Sequence, residues 1–335
     1  MRFQPTVEQR DFVRSLNAML TAADSPSAAR AWAAGEPGQG RAVRARLAVA
    51  GVFALAVPEA YEGVGVHPVE VALACEEVGR HAVPGPVVET VAAAELLTRL
   101  AELGDDAPAK RLLPGIASGE VTATLAAPET GGYALDADVA DVVLVVGGER
   151  GDELRVAPGH GPVRASADPV RRLARPAPGG ELLAAGDRVA RAGRCAAERA
   201  ALATAAQSLG VGCALLDRTV AYVRQRHQFG VPVGSFQAVK HRLADALLGL
   251  EFARPLVWGA ALTLRTADVA AAKVAAGEAA YVAARTALQL HGAIGYTDEL
   301  DLALWLRKAR PLRDAWGTPA WCRQQVLRAA VPAGD

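Results

Sequence analysis

Between Arg224 and Ala246 the chain reads RQRHQFGVPVGSFQAVKHRLADA, with three arginines, two histidines, three glutamines and two phenylalanines around Gly230, Pro232 and Gly234. Guanidinium, imidazole and carboxamide groups are planar hydrogen-bonding units, more than a linker needs merely to turn a corner. The stretch therefore reads as a recognition segment between two helices. Other familiar chemistries are excluded. The glycines of EGVGVHP do not complete GxGxxG, and GGERGDE lacks the Lys-Ser/Thr of a phosphate loop. There is no GxSxG elbow and no HExxH pair. The six histidines are dispersed, as structural or surface imidazoles are. Cys75, Cys195, Cys213 and Cys322 lie far apart and form no CxxC or Cys/His cluster, so the expectation is reduced, mostly buried thiols and no metal site.

The elements that must position this segment follow from periodicity. Alanine and leucine at helical spacing fill residues 5–118, with Gly/Pro breaks at EPGQG, VPEAYEGVGVHP and VPGP, which gives an all-α N-terminal domain over 1–118. Within it, Val69–Val78 reads as an amphipathic helix with Glu70, Glu76 and Glu77 on the polar face. Short β-prone runs (VTATLAAP, ADVADVVLVVGG, ELRVAP) then predict a small antiparallel β domain over 119–188. From residue 189 to 335 the chain reads as a helical bundle. Its helices are expected from about Cys195 to Arg224, Phe236 to Leu264, Ala267 to Leu290 and Leu300 to Arg310, with Ser235 capping the second and Pro255 kinking or loosening it. The fold class is thus mostly α with a small central β domain.

Thirty-six Lys and Arg balance thirty-six Asp and Glu, so nothing at whole-chain level points to nucleic acid or an anionic membrane. The N-terminus MRFQPTVEQRDFVRSL lacks the apolar core of a signal peptide, and no stretch approaches the roughly 20 uncharged apolar residues of a membrane span. The expected location is cytoplasmic.

Two C-terminal blocks carry a family resemblance. Arg226-His-Gln-Phe-Gly230 with Pro232, then Phe236-Gln237 and Leu243-Ala-Asp245, resembles the RxxFGxP...FQ...LAD signature of acyl-CoA dehydrogenases. Gln289-Leu-His-Gly292-Ala-Ile-Gly295-Tyr296 followed by Arg307-Lys-Ala-Arg310 resembles the QxxGGxGY...RDAR block of the same family. LAVPEAYEGVGV and EEVGR near the N-terminus are similar to its opening loop and helix. The resemblance implies FAD as cofactor and an N-terminal helical domain, β domain and C-terminal four-helix bundle. It also implies a hinge that reaches across a dimer interface to a neighbour's FAD. On it, Arg226 meets the FAD pyrophosphate, because a guanidinium fork suits phosphate oxygens. Gln228, Phe229, Gln237, Gln289, Gly292 and Thr318 are its other implied cofactor contacts.

The sequence departs from that family where the chemistry is done. Desaturation needs a carboxylate to take the α-proton. The usual base position, nine residues after Arg307, is Trp316, and the alternative, thirty before Gly230, is Ala200 with Ala201 beside it. Glu198 and Asp314 are each two residues off, a turn of about 200° on a helix. The second glycine of QxxGG is Ala293, the TSQ after the base is Thr318-Pro319-Ala320, and the loops that hold the flavin ring have no clear match in the β domain. The resemblance is therefore to the non-catalytic subunit of actinobacterial heterotetrameric acyl-CoA dehydrogenases. It implies a second, base-bearing chain, an acyl-CoA or other acyl thioester substrate and electron-transferring flavoprotein as acceptor. Two alternatives stay open: a homo-oligomeric flavoenzyme with a repositioned base acting on acyl-CoA or carrier-bound acyl groups, and a flavin-free scaffold or acyl-thioester binding protein.

Overall fold

The computed structural model describes residues 4–164 and 166–330. Six helices come first: α1 (Val7–Ala22), α2 (Ser25–Ala33), α3 (Gly38–Val49), α4 (Pro68–Arg80), α5 (Val87–Glu102) and α6 (Ala107–Ser118). A capping box starts α1, where the Thr6 hydroxyl accepts from the Gln9 amide and the Gln9 side chain accepts from the Thr6 amide. Gly119 ends α6 in the left-handed region.

Six strands follow: β1 (Ala123–Ala126), β2 (Ala134–Leu135), β3 (Val142–Gly147), β4 (Glu153–Val156), β5 (Leu173–Ala174) and β6 (Glu181–Ala185). Four of them form a sheet in the order β1-β3-β4-β6, and β2 pairs with β5 apart from it. The expectation of a purely antiparallel domain needs correction, because β1 and β3 run parallel. The chain between them detours through β2 before it returns, which leaves room for a crossover.

The rest is helical apart from one hairpin. Helix α7 (Asp187–Gln225) leads into β7 (His227–Gln228) and β8 (Val231–Pro232), then α8 (Gln237–Thr263), α9 (Thr266–His291), α10 (Leu302–Asp314) and α11 (Pro319–Ala330). Among the described residues only α7 is long and apolar enough to cross a membrane, and 89% of its most apolar window is buried inside the protein. It is the central core helix, packed on α4, α5 and α9. Alanine and glycine bring its backbone close to its neighbours. A Cβ on Gly210 would stand 1.8 Å from the Glu76 carbonyl oxygen of α4, and one on Gly79 of α4 would stand 2.0 Å from the Gln207 carbonyl oxygen of α7.

Three local expectations fare differently. Ser235 does not cap α8. Phe236 is the flanking residue, with no side-chain cap bond, and the Ser235 hydroxyl instead donates to the Pro232 carbonyl, which tightens the turn behind the hairpin. Pro255 lies within α8, which runs on through it from Gln237 to Thr263. Glu76 and Glu77 are not on a solvent face. Both are buried, Glu76 paired with Arg254 of α8 and Glu77 beside Arg80 and His81. Burial pushes the Glu76 carboxyl up, opposed by Arg254.

Candidate functional site

The hairpin at the end of α7 is built around a tight turn. His227 pairs with Pro232 and Gln228 with Val231, leaving Phe229 and Gly230 as the loop, both at positive φ (55° and 80°). Two successive left-handed residues fit the right-handed twist of a two-residue hairpin. Glycine takes that conformation freely, whereas a phenylalanine does so at a cost of roughly 1–2 kcal/mol. Phe229 is nevertheless 90% exposed, its ring edge-on to Phe236 at 6.1 Å. A strained, solvent-facing aromatic ring contributes little to the folded monomer.

Behind the hairpin, Tyr222 of α7 stacks on His291 at the end of α9, with ring centroids 4.2 Å apart, and its hydroxyl donates to the His291 carbonyl at 3.4 Å. The His291 ring is fixed in turn by its Nδ1 against the Ala287 carbonyl at 2.8 Å, and burial lowers its affinity for a proton. This stack docks the segment Gln289–Gly292 onto the base of the hairpin. Gly292 has φ 65° and terminates α9. The structure thus gathers the exposed residues Arg226, Gln228, Phe229, Gln237, Gln289 and Gly292 at one end of the bundle.

Sequence reasoning missed part of this end. Arg242 of α8 and Arg285 of α9 face a surface groove of about 350 Å³ together with Gln289 and Tyr296. Arg224, Arg226, Arg242 and Arg285 make no ion pair among the described residues. The signal was available in the sequence: from Arg224 to Arg242 there are four Lys or Arg and no Asp or Glu. These cations with amides beside them suit an anionic ligand such as a diphosphate.

Thr318 is not part of that cluster. It lies in the link between α10 and α11, where its hydroxyl accepts from the Trp321 amide at 3.3 Å, beside Trp316. The cavity at Trp316 also takes in Ala201 of α7, and the twenty-five residues from Ala201 to Arg226 span roughly 38 Å along a helix. The two ends of α7 serve different places.

The Trp316 end is built differently. Trp316 is only 3% exposed, and its Nε1 donates to Oε1 of Glu89 on α5 at 3.1 Å. Glu89 is itself buried and was not anticipated, although an acid in the apolar run VVETVAAAELL is a visible anomaly. Ala200 is fully buried in α7. Glu198 accepts from the Thr266 hydroxyl at 2.7 Å, and Asp314 is exposed. Lys308 stands where the RDAR pattern has its aspartate. It is buried and bound to Asp168 at 2.8 Å, tying α10 to the segment before β5. Nearby Asp136 is wholly buried at φ 53°. It accepts from the Trp32 indole at 3.0 Å, and burial raises its carboxyl to about 7.

Comparison with known proteins agrees with this architecture. Residues 6–120 match the acyl-CoA dehydrogenase N-terminal domain model and residues 186–331 the C-terminal domain model. The chain is 32% identical over 326 residues to acyl-CoA dehydrogenase IpdE2 of Mycolicibacterium smegmatis, covering 96% of this chain and 97% of that one. Against the protein of that name from Mycobacterium tuberculosis it is 33% identical, covering 96% of each. The fold matches a chain of the ChsE4-ChsE5 complex from Mycobacterium tuberculosis with TM-score 0.82 at 23% identity, covering 99% of this chain and 100% of that one. It matches a chain of the Tcur3481-Tcur3483 steroid ACAD with TM-score 0.83 at 24% identity, covering 96% and 97%. With both terminal domains matched and near-complete alignment to curated relatives, the chain belongs to the acyl-CoA dehydrogenase family of FAD-dependent oxidoreductases.

Proposed function

We propose that this chain completes the FAD site of a second, base-bearing acyl-CoA dehydrogenase chain, and that the pair desaturates an acyl-CoA thioester. One contrast carries the reading: cations with no ion pair among the described residues, and amides, crowd the exposed hairpin end, while Trp316, where the resemblance implies a base, is a buried indole bonded to Glu89. Arg226, with Arg242 and Arg285 behind it, would hold the diphosphate of the neighbour's cofactor. Gln228, Gln237 and Gln289 would hydrogen-bond to its polar edges, and Gly292 would let the backbone come close. Phe229, already facing outward, would bury its ring in the partner. When bound, FAD accepts the β-hydrogen of the substrate as hydride. The α-proton goes to the partner's carboxylate, since this chain presents none at Trp316 or Ala200.

The neighbours support an unlike partner, because ChsE4-ChsE5 and Tcur3481-Tcur3483 are each named as a pair of chains. The second is named a steroid ACAD, so a bulky, steroid-derived thioester is the substrate class to test first. Electron-transferring flavoprotein is the proposed acceptor.

The test is co-expression with a base-bearing acyl-CoA dehydrogenase homologue from the same organism, followed by visible absorbance and mass. Flavin held only by the mixed complex is the expected result. A yellow protein that oxidises thioesters alone would establish the homomeric enzyme instead, and colourless protein in both preparations would establish the flavin-free binder. In the mixed complex, Arg226→Ala removes a charge-assisted phosphate contact of about 1.5–3 kcal/mol. FAD affinity is expected to fall roughly 10- to 100-fold, and unchanged flavin content on dialysis removes the assigned role.

A further inference from the structure

Three oxygen-bearing side chains from different elements line one small interior cavity. Glu89 of α5, Asp136 just after β2 and Gln207 of α7 are 3%, 0% and 7% exposed, and the cavity they share, about 10 Å³, holds a single water-sized group. Val83, Pro84 and Gly85 from the loop before α5 close one side of it, and Arg171 and Lys308 another. Asp136 Oδ2 and Gln207 Oε1 have no hydrogen-bond partner among the described residues. Glu89 accepts the Trp316 indole with Oε1, and its Oε2 makes no bond to a described residue. Buried acceptors are normally satisfied, so three around one space call for a group that donates to all of them.

The charges around the cavity favour a cation. Lys308 lines it, but its ammonium is bound to Asp168 at 2.8 Å, which makes that pair neutral. Glu89 and Asp136 then face Arg171 alone, and Arg171 does not reach Asp136 Oδ2, which stays without a partner. A larger pocket of about 200 Å³ adjoins, sharing Glu89, Leu135 and Arg171 with the small one and adding Leu125, Tyr133 and Trp316. The small cavity is thus acidic and the wall beyond it is apolar and aromatic.

We propose that the small cavity is a binding site for one ammonium group, whose N–H bonds are taken by Asp136 Oδ2, Gln207 Oε1 and Glu89 Oε2. The group is either the free ammonium ion or the head of a small primary amine whose carbon body lies against Leu125, Tyr133 and Trp316 in the adjoining pocket. Neither source involves flavin, thioester or a partner chain. The carboxylate that carries most of the site also titrates. Burial raises Asp136 to about 7, against the Trp32 indole that donates to it, with Glu89, Asp138, Asp168, Arg171 and Lys308 as the charges nearby. Below that value a proton occupies Asp136 and competes with the ammonium group, so binding is stronger at pH 8 than at pH 5.

The test is thermal melting of the full-length chain at pH 8 in the chlorides of ammonium, butylammonium, potassium and tetramethylammonium at equal ionic strength. Tetramethylammonium carries the same charge but has no N–H and is too large for the small cavity, and potassium matches ammonium in size without an N–H. Ammonium should raise the melting temperature above both, increasingly with concentration, and the rise should shrink at pH 5. Butylammonium acting at lower concentration than ammonium identifies the amine as the source, whereas ammonium acting without butylammonium identifies the free ion. No advantage of either over tetramethylammonium, or an equal rise in potassium, would overturn the proposal. Asp136→Asn, which puts an amide N–H2 where Oδ2 stood, should abolish the rise, and a folded variant that keeps it would overturn the proposal too. If that variant does not fold, Gln207→Leu takes its place and should raise the ammonium concentration needed roughly tenfold; an unchanged requirement counts against the site. Because no flavin enters these measurements, their failure leaves the cofactor reading to the Arg226→Ala complex.

Discussion

Individual side chains in this protein are held in places that folding alone does not reward. Phe229 sits exposed at positive φ and Trp316 buried at positive φ. One faces the surface, the other packs inside against Glu89. Asp136 is a third case, a carboxyl with no exposure whose Oδ1 accepts from the Trp32 indole while Oδ2 has no partner among the described residues. Burial raises it from its ordinary value of 3.8 to about 7. An acid whose folded pKa is raised stabilises the fold while it is protonated in the folded state. That contribution is complete below pH 3.8, declines as the unfolded chain ionises, and is gone once the pH passes about 7. Asp136→Asn keeps the acceptor for Trp32 without the ionisation. The original chain should therefore melt close to this variant at pH 4 and fall progressively below it toward pH 7, after which the gap levels off. A difference that does not change with pH would mean that Asp136 is already ionised in the fold.

At the scale of elements, the crossing of α4 and α7 depends on glycine. Gly79 and Gly210 each face the other helix's backbone at distances no Cβ tolerates. Gly210→Ala in isolation should raise helix propensity, by roughly 1 kcal/mol, yet at this crossing a methyl group meets the Glu76 carbonyl oxygen and must push the helices apart. The overpacking cost, about 1–3 kcal/mol or more, wins. The expected result is a net loss of stability by denaturant titration, whereas a gain would show that the helices can separate freely. The same crossing explains the buried Glu76. Once α4 lies against α7 and α8, its supposed polar face meets Arg254 rather than water.

For the molecule as a whole, the notable surface is α8. Leu248, Phe252 and Leu256, spaced four residues apart, are 53%, 73% and 45% exposed, and Leu247 and Leu262 on the same helix are also exposed. A helix that shows an apolar stripe to solvent marks an interaction surface. With the hairpin at its N-terminal end, α8 gives the proposed partner a continuous path from cofactor to interface. Phe252→Asp places a charge in the stripe, and the mass of the co-expressed complex, measured by light scattering, should fall toward separate chains. An unchanged mass would remove α8 from the interface.

The sequence by itself indicated the family, the helical N- and C-terminal stretches and the strands at β1, β3 and β4, because those depend on short-range periodicity and motif spacing, whereas β2, β5, β6, the β7–β8 hairpin and α11 carried no signal that was read. Counted from the two family-like blocks, it also puts Trp316 and Ala200, neither of them acidic, where the resemblance implies a base. Other facts depended on packing between residues far apart in the chain. The parallel pairing of β1 with β3, the burial of Glu76 and Glu77, and the failure of Ser235 to cap α8 each follow from which neighbour a segment meets. So does the bond between Trp316 and Glu89, which are 227 residues apart. A sequence records that an indole is present, but only the folded chain decides that it is buried against Glu89, because that contact depends on how α5 and the α10–α11 link pack.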